Sequence, residues 1–308
     1  MKLTTLRADL LLLVAAFCFG SGFVAQRLGS DHLNAFGYTG LRYTLGAVLL
    51  LPLLAFAAWP AHVERAASRR ATFRGGLLAG LAMIVASTVQ QHGLEMTTAS
   101  NGAFITGLYV VFVPFIAIAV TRHRLGARVW TGVALALVGL LLLGVGKDFH
   151  INAGDPWILL CAVVWAFHVI VVGVFSKDAE PIRMTLIQLG MTGVGALAIA
   201  LARGDVITAQ IANAKWALVY GAVLPVAFAF ILQVVAQKKA PPTHTALILS
   251  LESVFGMLGG IIFLSERPTG QQYAGALLML AGVVVSQLPA LRDDADHPGE
   301  SGKISDPS

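Results

Sequence analysis

Glu252 places a carboxylate in the middle of the apolar stretch of residues 243–268. If a helix spans residues 243–264, about nine residues lie on either side of Glu252, or roughly 14 Å each way at 1.5 Å per residue. An unpaired ionised carboxylate is costly at that depth, so Glu252 is expected to face a cavity or a partner. Burial favours the neutral carboxyl, which makes Glu252 a candidate carrier of a coupling proton. The alternative is a protonated Glu252 that hydrogen-bonds another helix and only stabilises the bundle.

Tyr109 is the equivalent of Glu252 when the chain is compared with itself. A shift of 143 residues aligns residues 90–144 with residues 233–287 without a gap and gives twelve identities. Matched apolar residues arise easily by chance, whereas the matched glycines, arginine and glutamine are more informative. Tyr109 and Glu252 are therefore predicted to lie near a pseudo-two-fold axis. A phenol and a carboxyl in one cavity could bind an amine or a hydroxyl group.

Five further polar residues lie inside apolar stretches. Gln90 and Gln233 are related by the same shift and lie near opposite ends of the membrane, so they could line two gates; the alternative is ordinary interfacial polarity. His168 could line the cavity or hydrogen-bond across helices. A shift of about 146 residues pairs Arg42 with Gln188. The Arg42 guanidinium could snorkel to the nearer surface or attract a substrate carboxylate.

Other residues near the centre are candidates for packing or movement. Phe255 and Gly256 share the helical face of the central carboxylate, so Phe255 is predicted to line the substrate pathway. The four-residue spacing of Gly256 and Gly260 allows close helix approach. Pro114 and Pro225 could kink their helices and act as hinges.

Transmembrane helices are predicted to carry these residues. Apolar residues make up 57% of the 308 residues and charged residues 12%, about half the charge of a typical soluble domain. Ten apolar segments have spanning length. They are residues 9–27, 36–59, 72–91, 99–121, 126–146, 155–175, 181–202, 215–236, 243–264 and 271–289.

The basic residues predict the orientation of these spans. Fifteen Lys and Arg residues fall on one side of the membrane and six on the other. The positive-inside rule therefore places both termini, and a polar tail at residues 291–308 that is predicted to be disordered, in the cytoplasm. The net charge of +5 comes from these interhelical gaps, so a nucleic-acid partner is not expected.

The repeat divides the chain into residues 1–150 and 151–290, each with five spans. An odd number of spans inserts the second copy upside down relative to the first. Inverted repeats of this kind are a recurrent transporter design, with the substrate site at the midplane. The symmetry gives alternating access a structural basis, because each half can adopt the conformation of the other.

Several stretches resemble one known family. They are FCFGSGFVAQ (17–26), FGYTGLRYTLGA (36–47), TTASNGAFITGLYVVFVP (97–114), WTGVALALVG (130–139), APPTHTALILSLESVFGMLGGIIFLSERP (240–268) and YAGALLMLAG (273–282). Over about residues 9–290 the chain resembles the EamA-type drug/metabolite transporter superfamily, ten-helix carriers of two five-helix repeats. The resemblance implies a multi-pass protein of the bacterial inner membrane, often an exporter of amino acids, other metabolites or drugs. Ser253 stands where many relatives have proline, which would allow a straighter ninth helix.

A secondary transporter, exporting small metabolites such as amino acids or related amines, is the leading interpretation. The alternative is a membrane-embedded enzyme acting on a lipid, which would need clustered His, Asp or Glu near a membrane face. No metal-ligand spacing and no Walker-type phosphate loop is present in the sequence, so no metal, cofactor or ATP-driven step is expected. The expected partners are the lipid bilayer and a small-molecule substrate, with the chain as a monomer or weak homodimer.

Overall fold

The computed structural model describes residues 3–57, 62–122, 125–144, 152–205, 208–265 and 267–287. Regular secondary structure in these ranges is helical throughout. The α-helices are α1 Leu3–Ser30, α2 Ala35–Leu50, α3 His62–Leu94, α4 Ala99–Gly107, α5 Tyr109–Thr121, α6 Ala127–Gly144, α7 Asp155–Phe175, α8 Pro181–Ala202, α9 Thr208–Gly221, α10 Ala229–Gln237, α11 Pro242–Leu249, α12 Glu252–Leu264 and α13 Gly270–Gln287. A 3-10 segment, Leu51–Phe56, prolongs α2, and a π-helical segment, Ala222–Phe228, joins α9 to α10.

These helices have the length and composition of membrane spans. Nine helical stretches in the described part of the chain are long and apolar enough to cross a bilayer, and α13 contributes the shorter apolar helix Gly270–Ser286. The pairs α4–α5 and α11–α12 and the run from α9 to α10 each form one stretch. The prediction of an all-α membrane protein is therefore confirmed. The third span is longer than predicted, since α3 begins at His62; the tail at 291–308 lies outside the described residues.

The two halves place equivalent helices at the same offset of 143 residues. α6 and α13 have bounds that differ by this offset at both ends. Arg122 ends α5 and its equivalent Ser265 ends α12, with φ angles of 57° and 56°. They are the non-glycine residues with positive φ in the described ranges. Because this uncommon left-handed conformation occurs at both equivalent positions, the two halves share one local fold.

Four glycines that the 143-residue shift relates in pairs form the contact between α6 and α13. A Cβ atom on Gly132 would lie 2.8 Å from the carbonyl oxygen of Gly282, and one on Gly139 would lie 2.6 Å from that of Gly275. The 143-residue shift converts the first contact into the second. The two backbones can therefore approach closely across the pseudo-two-fold axis, as small residues permit in membrane helix pairs.

The fourth and ninth spans are interrupted at equivalent positions. The backbone N–H of Leu108 donates to the carbonyl three residues earlier at 3.2 Å, and that of Leu251 does the same at 3.1 Å. Both turns are thus tighter than an α-helix. The next helices start directly after them, α5 at Tyr109 and α12 at Glu252. The two residues singled out by the sequence therefore begin two helices in the middle of two spans.

Ser253 does not give the ninth span a continuous helix. The interruption before Glu252 forms although proline is absent at residue 253. The Ser253 hydroxyl donates a hydrogen bond to the Ala103 carbonyl at 2.7 Å and so joins α12 to α4. The break is therefore supported by a contact between the two halves.

The two prolines have different surroundings. Pro114 lies inside α5, which continues through it, whereas Pro225 lies in the π-helical segment of the eighth span. The Pro225 ring packs on α1, where a Cβ atom on Gly22 would lie 2.8 Å from its Cγ. Since proline provides no backbone N–H, the local change of helix type at residues 222–228 has a direct cause.

Candidate functional site

A cavity of about 60 Å³ lies between helices of both halves. This volume accommodates a few water molecules. Its polar wall consists of Gln26, Arg42, Tyr43, Gln90, Thr106, Tyr109, His168, Gln233 and Glu252. Its apolar wall consists of Phe19, Phe23, Trp165, Val169, Pro225, Val226, Phe230 and Leu249.

Pairs of repeat-related residues line much of this cavity. The pairs are Phe19/Trp165 and Phe23/Val169 at an offset of 146, and Gln90/Gln233, Thr106/Leu249 and Tyr109/Glu252 at an offset of 143. A cavity lined by both members of such pairs lies on the axis that relates the two halves. The remaining lining residues differ between the halves, so the charge distribution inside the cavity is asymmetric.

Tyr109 and Glu252 face each other across the cavity. Their side chains are 4% and 6% exposed and lie close to each other. Glu252 Oε1 is buried and has no hydrogen-bond partner. Because Glu252 is the first residue of α12, the positive end of that helix dipole lowers the cost of ionising the carboxyl. The free carboxyl oxygen is therefore available to a ligand.

Arg42 provides the positive charge in the cavity. It extends from α2 and is 2% exposed, so the guanidinium does not snorkel to the membrane surface as one interpretation of the sequence expected. The guanidinium lies over the rings of Tyr38 and Tyr43, with centroid distances of 5.1 and 5.0 Å. Its Nε is buried without a partner. Arg42 is thus a fixed, buried cation that faces the same space as Glu252.

His168 forms a third polar group of the cavity. Its Nε2 lies 3.0 Å from Oε1 of Gln188, the repeat equivalent of Arg42, and its Nδ1 is buried without a partner. Gln188 does not line the cavity itself and acts through His168. The imidazole also packs edge-on against Trp165 and Phe230, with centroid distances of 5.2 and 5.7 Å. These contacts fix the orientation of the ring in the apolar wall.

Gln90 and Gln233 both line this one cavity. They are 5% and 2% exposed, so neither shows the ordinary interfacial polarity that was the alternative interpretation. Gln90 donates to the Thr106 hydroxyl at 3.0 Å, and Gln233 donates to Gln237 at 3.1 Å. The structure therefore places both amides inside the central cavity instead of at two separate surface openings.

Phe255 does not line the cavity, contrary to the prediction. Its ring packs edge-on against Phe17 at 5.4 Å, and Phe17 is 52% exposed on the outer surface. The adjacent Gly256 faces α4, where an added Cβ would lie 2.7 Å from the Cβ of Ala103. This face of α12 is a packing face because the chain approaches α1 and α4 there. The Glu252 carboxylate, in contrast, reaches the cavity because Glu252 lies at the turn that starts α12.

The sequence prediction missed the aromatic wall of the cavity. Phe19, Trp165 and Phe230 pack together, with Trp165 stacked on Phe230 at 5.9 Å and Phe19 edge-on to Phe230 at 4.8 Å. The offset of 146 relates Phe19 to Trp165, and this match of two aromatic residues was available in the sequence. The wall offers an apolar surface next to the charged groups.

Metal chemistry has no candidate site in the described ranges, where no group of three His, Cys, Asp or Glu residues could hold an ion. The arrangement instead combines one guanidinium, one carboxyl, amides and aromatic rings in one small cavity. Such a set can bind a small polar molecule and orient it, as expected of a binding site with few convergent polar groups.

A family model for the EamA-like transporter family matches the chain twice, over residues 6–145 and over residues 152–287. The matches cover both halves and so include the residues on both sides of the cavity.

Curated relatives are also named as transporters. The chain is 30% identical over 287 residues to an uncharacterized transporter of Archaeoglobus fulgidus, covering 92% of this chain and 86% of the relative. It is 25% identical over 293 residues to the threonine/homoserine exporter RhtA of Salmonella typhimurium, covering 92% of both chains. A solved crystal structure superposes with a TM-score of 0.71 at 17% identity, covering 91% of this chain and 98% of the other, which shows the shared fold.

Proposed function

Since the chain belongs to the EamA-like transporter family, we propose that it is a secondary transporter that exports small metabolites such as amino acids or related amines. The family and the relatives are transporters and not enzymes, so the alternative of an enzyme acting on a lipid is not retained. The name of the RhtA relative supports amino acids as the first substrates to test.

The observation that carries the proposal is the Tyr109–Glu252 pair in the central cavity. A carboxyl oxygen without a partner beside a phenol is a suitable acceptor for a protonated amine, because charge-assisted hydrogen bonds are strong in a low-dielectric site. An arriving ammonium favours the ionised form of the Glu252 carboxyl. The same carboxyl could therefore release its proton when the substrate binds.

Alternating access is supported by two contacts between the halves, each made by one of two repeat-related aspartates. In the first-span contact, His244 Nε2 lies 2.7 Å from the Asp9 carboxylate, which joins α11 to α1. In the sixth-span contact, the Thr97 hydroxyl donates to the Asp155 carboxylate at 2.7 Å, which joins the start of α4 to α7. Asp9 and Asp155 are related by the 146-residue offset.

The two contacts belong to opposite ends of the cavity. They lie near the starts of the first and sixth spans, which cross the membrane in opposite directions because four spans lie between them. Breaking one contact opens one end and leaves the other closed, which is the requirement for alternating access. Both contacts are formed here.

The proposed setting is the inner membrane of a bacterium with both termini in the cytoplasm. The distribution of fifteen basic residues on one side against six on the other supports this orientation. Asp9 would then lie at the cytoplasmic end of the cavity and Asp155 at the periplasmic end.

An untargeted comparison of secreted metabolites tests the function. Cells that express the protein are expected to release one or a few amino acids or amines in excess over cells that express Glu252→Gln at the same membrane level. Equal release of every amino acid and amine by the two strains would contradict the proposal. A Glu95→Gln strain provides a matched control, since Glu95 pairs with His92 near the protein surface.

A further inference from the structure

We propose that Arg42 binds a carboxylate of the substrate, so that the protein transports zwitterions and discriminates against simple amines. This inference rests on the proposed function and specifies the substrate class of the same cavity. The substrate would place its ammonium at Glu252 and its carboxylate at Arg42. An α-amino acid carries both groups on one carbon atom and is the simplest molecule of this kind.

The surroundings of Arg42 hold its guanidinium without neutralising it. None of the ion pairs in the described part of the chain includes Arg42. Its neighbours are two neutral phenols, those of Tyr38 and Tyr43, whose rings lie under the guanidinium. A buried cation that lacks an acidic partner in the protein has its full charge available to an anion.

The two phenols are themselves fixed. Tyr38 is 0% exposed and its hydroxyl donates to the Ala217 carbonyl at 3.1 Å, which ties α2 to α9. The Tyr43 hydroxyl lies 2.7 Å from the Ser87 hydroxyl on α3. Two helices other than α2 thus hold the rings that support the guanidinium. The positive group is oriented before any ligand arrives, which reduces the cost of binding one.

The repeat supports a role for Arg42 in recognition and not in packing. Its equivalent in the second half is Gln188, an uncharged residue that does not line the cavity. The fold therefore accommodates this helix position with a neutral side chain. The charge is specific to one half, as is the carboxylate of Glu252, whose equivalent is Tyr109. One positive and one negative group in the same cavity match the two charges of a zwitterion.

Competition in proteoliposomes tests the inference. Counterflow of labelled L-threonine is measured against unlabelled L-threonine, 1-amino-2-propanol, which lacks the carboxylate, and 3-hydroxybutyrate, which lacks the ammonium. We expect L-threonine to compete and both analogues to compete about 10- to 100-fold more weakly, because each loses one charge-assisted contact. If threonine is not carried, the other proteinogenic amino acids are paired with their decarboxylated amines in the same way.

Substitutions of Arg42 give an independent readout. Arg42→Gln is expected to remove the preference for the amino acid over the amine, whereas Arg42→Lys retains part of it because the positive charge remains. Arg27→Gln is the control, since Arg27 pairs with Asp31 and lies outside the cavity wall. Should Arg42→Gln fail to fold, the competition profile of the unaltered protein decides the question alone.

The outcomes separate the two proposals. Equal competition by amine and amino acid, or an unchanged preference in folded Arg42→Gln, would overturn the role of Arg42 and leave a transporter of amines standing. Counterflow of none of the amino acids or amines would overturn the proposed function itself. A preference for the amino acid that depends on Arg42 supports both.

Discussion

Tyr109 and Glu252 each occupy the first residue of a helix that restarts inside a membrane span, and both side chains line the central cavity. The pair is generated by the repeat, since the residues are 143 positions apart and the turns before them are equivalent. A broken helix near the midplane brings polar groups to a transport site without exposing them to lipid. The pair therefore connects the symmetry of the fold to the chemistry of the cavity.

Removal of the phenol hydroxyl is expected to impair transport. Tyr109→Phe leaves the ring in place and removes the hydroxyl beside Glu252, so we predict a fall in counterflow rate of about tenfold, the effect of one lost polar contact in the site. The control is Tyr273→Phe, because Tyr273 is 49% exposed on α13. A Tyr109→Phe rate equal to that of the control would contradict a role for the pair.

Substrate binding is expected to release a proton from Glu252. An ammonium that contacts the buried carboxyl favours its ionised form. Adding the transported amino acid to purified protein in weak buffer should acidify the solution, and Glu252→Gln should abolish this change. The control is Glu95→Gln, in which the Glu252 carboxyl is intact. Equal acidification by the protein and Glu252→Gln would show that the proton comes from another group.

Each end contact is expected to control one end of the cavity. We introduce Val169→Cys, which lines the cavity, into a chain in which buried Cys18 and Cys161 are replaced by alanine. Asp9→Ala should increase labelling by an impermeant maleimide from the cytoplasmic side.

The equivalent substitution should act from the opposite side. Asp155→Ala is predicted to increase labelling of the same cysteine from the periplasmic side, because it breaks the hydrogen bond with Thr97. Inverted and right-side-out vesicles distinguish the two directions. If each substitution increased labelling equally from both sides, or from neither, the contacts would not control access.

Close packing of α6 and α13 is expected to limit substitution of their glycines. A Cβ on Gly275 would lie 2.5 Å from the Gly139 carbonyl oxygen, so Gly275→Ala should destabilise the fold by about 1–3 kcal/mol through overpacking. Gly190→Ala in α8 is the control, since no atom lies within 4 Å of its added Cβ. Thermal unfolding in detergent should show a lower midpoint for Gly275→Ala alone. Equal midpoints for the two variants would exclude a tight interface.

Properties that depend on local sequence could be predicted without the structure. Hydropathy placed the spans because each must bury about 20 apolar residues in the bilayer. The constant offset of the repeat related Tyr109 to Glu252, since equivalent residues of an inverted repeat lie symmetrically about one axis. It also related Gln90 to Gln233, and the cavity contains both members of both pairs.

Side-chain directions depend on tertiary contacts and were harder to predict. Helical periodicity assigned Phe255 to the face of Glu252, but the carboxyl lies on the turn that starts α12 while the ring packs on Phe17. The direction of the Arg42 side chain could not be predicted either, because snorkelling and burial are both compatible with its place in the span. Contacts with Tyr38 and Tyr43 fix this direction, and the positions of the two rings follow from contacts with α9 and α3.

Counterflow in proteoliposomes tests the central claim most directly, namely that Glu252 in the central cavity binds the transported amine group. Vesicles with the unaltered protein, preloaded with unlabelled L-threonine or another amino acid found in the secretion comparison, should accumulate the labelled form without any added cofactor. Vesicles with folded Glu252→Gln at the same protein content should accumulate at least about tenfold less, the effect expected for one lost charge-assisted hydrogen bond. Equal accumulation by the two proteins would contradict the claim.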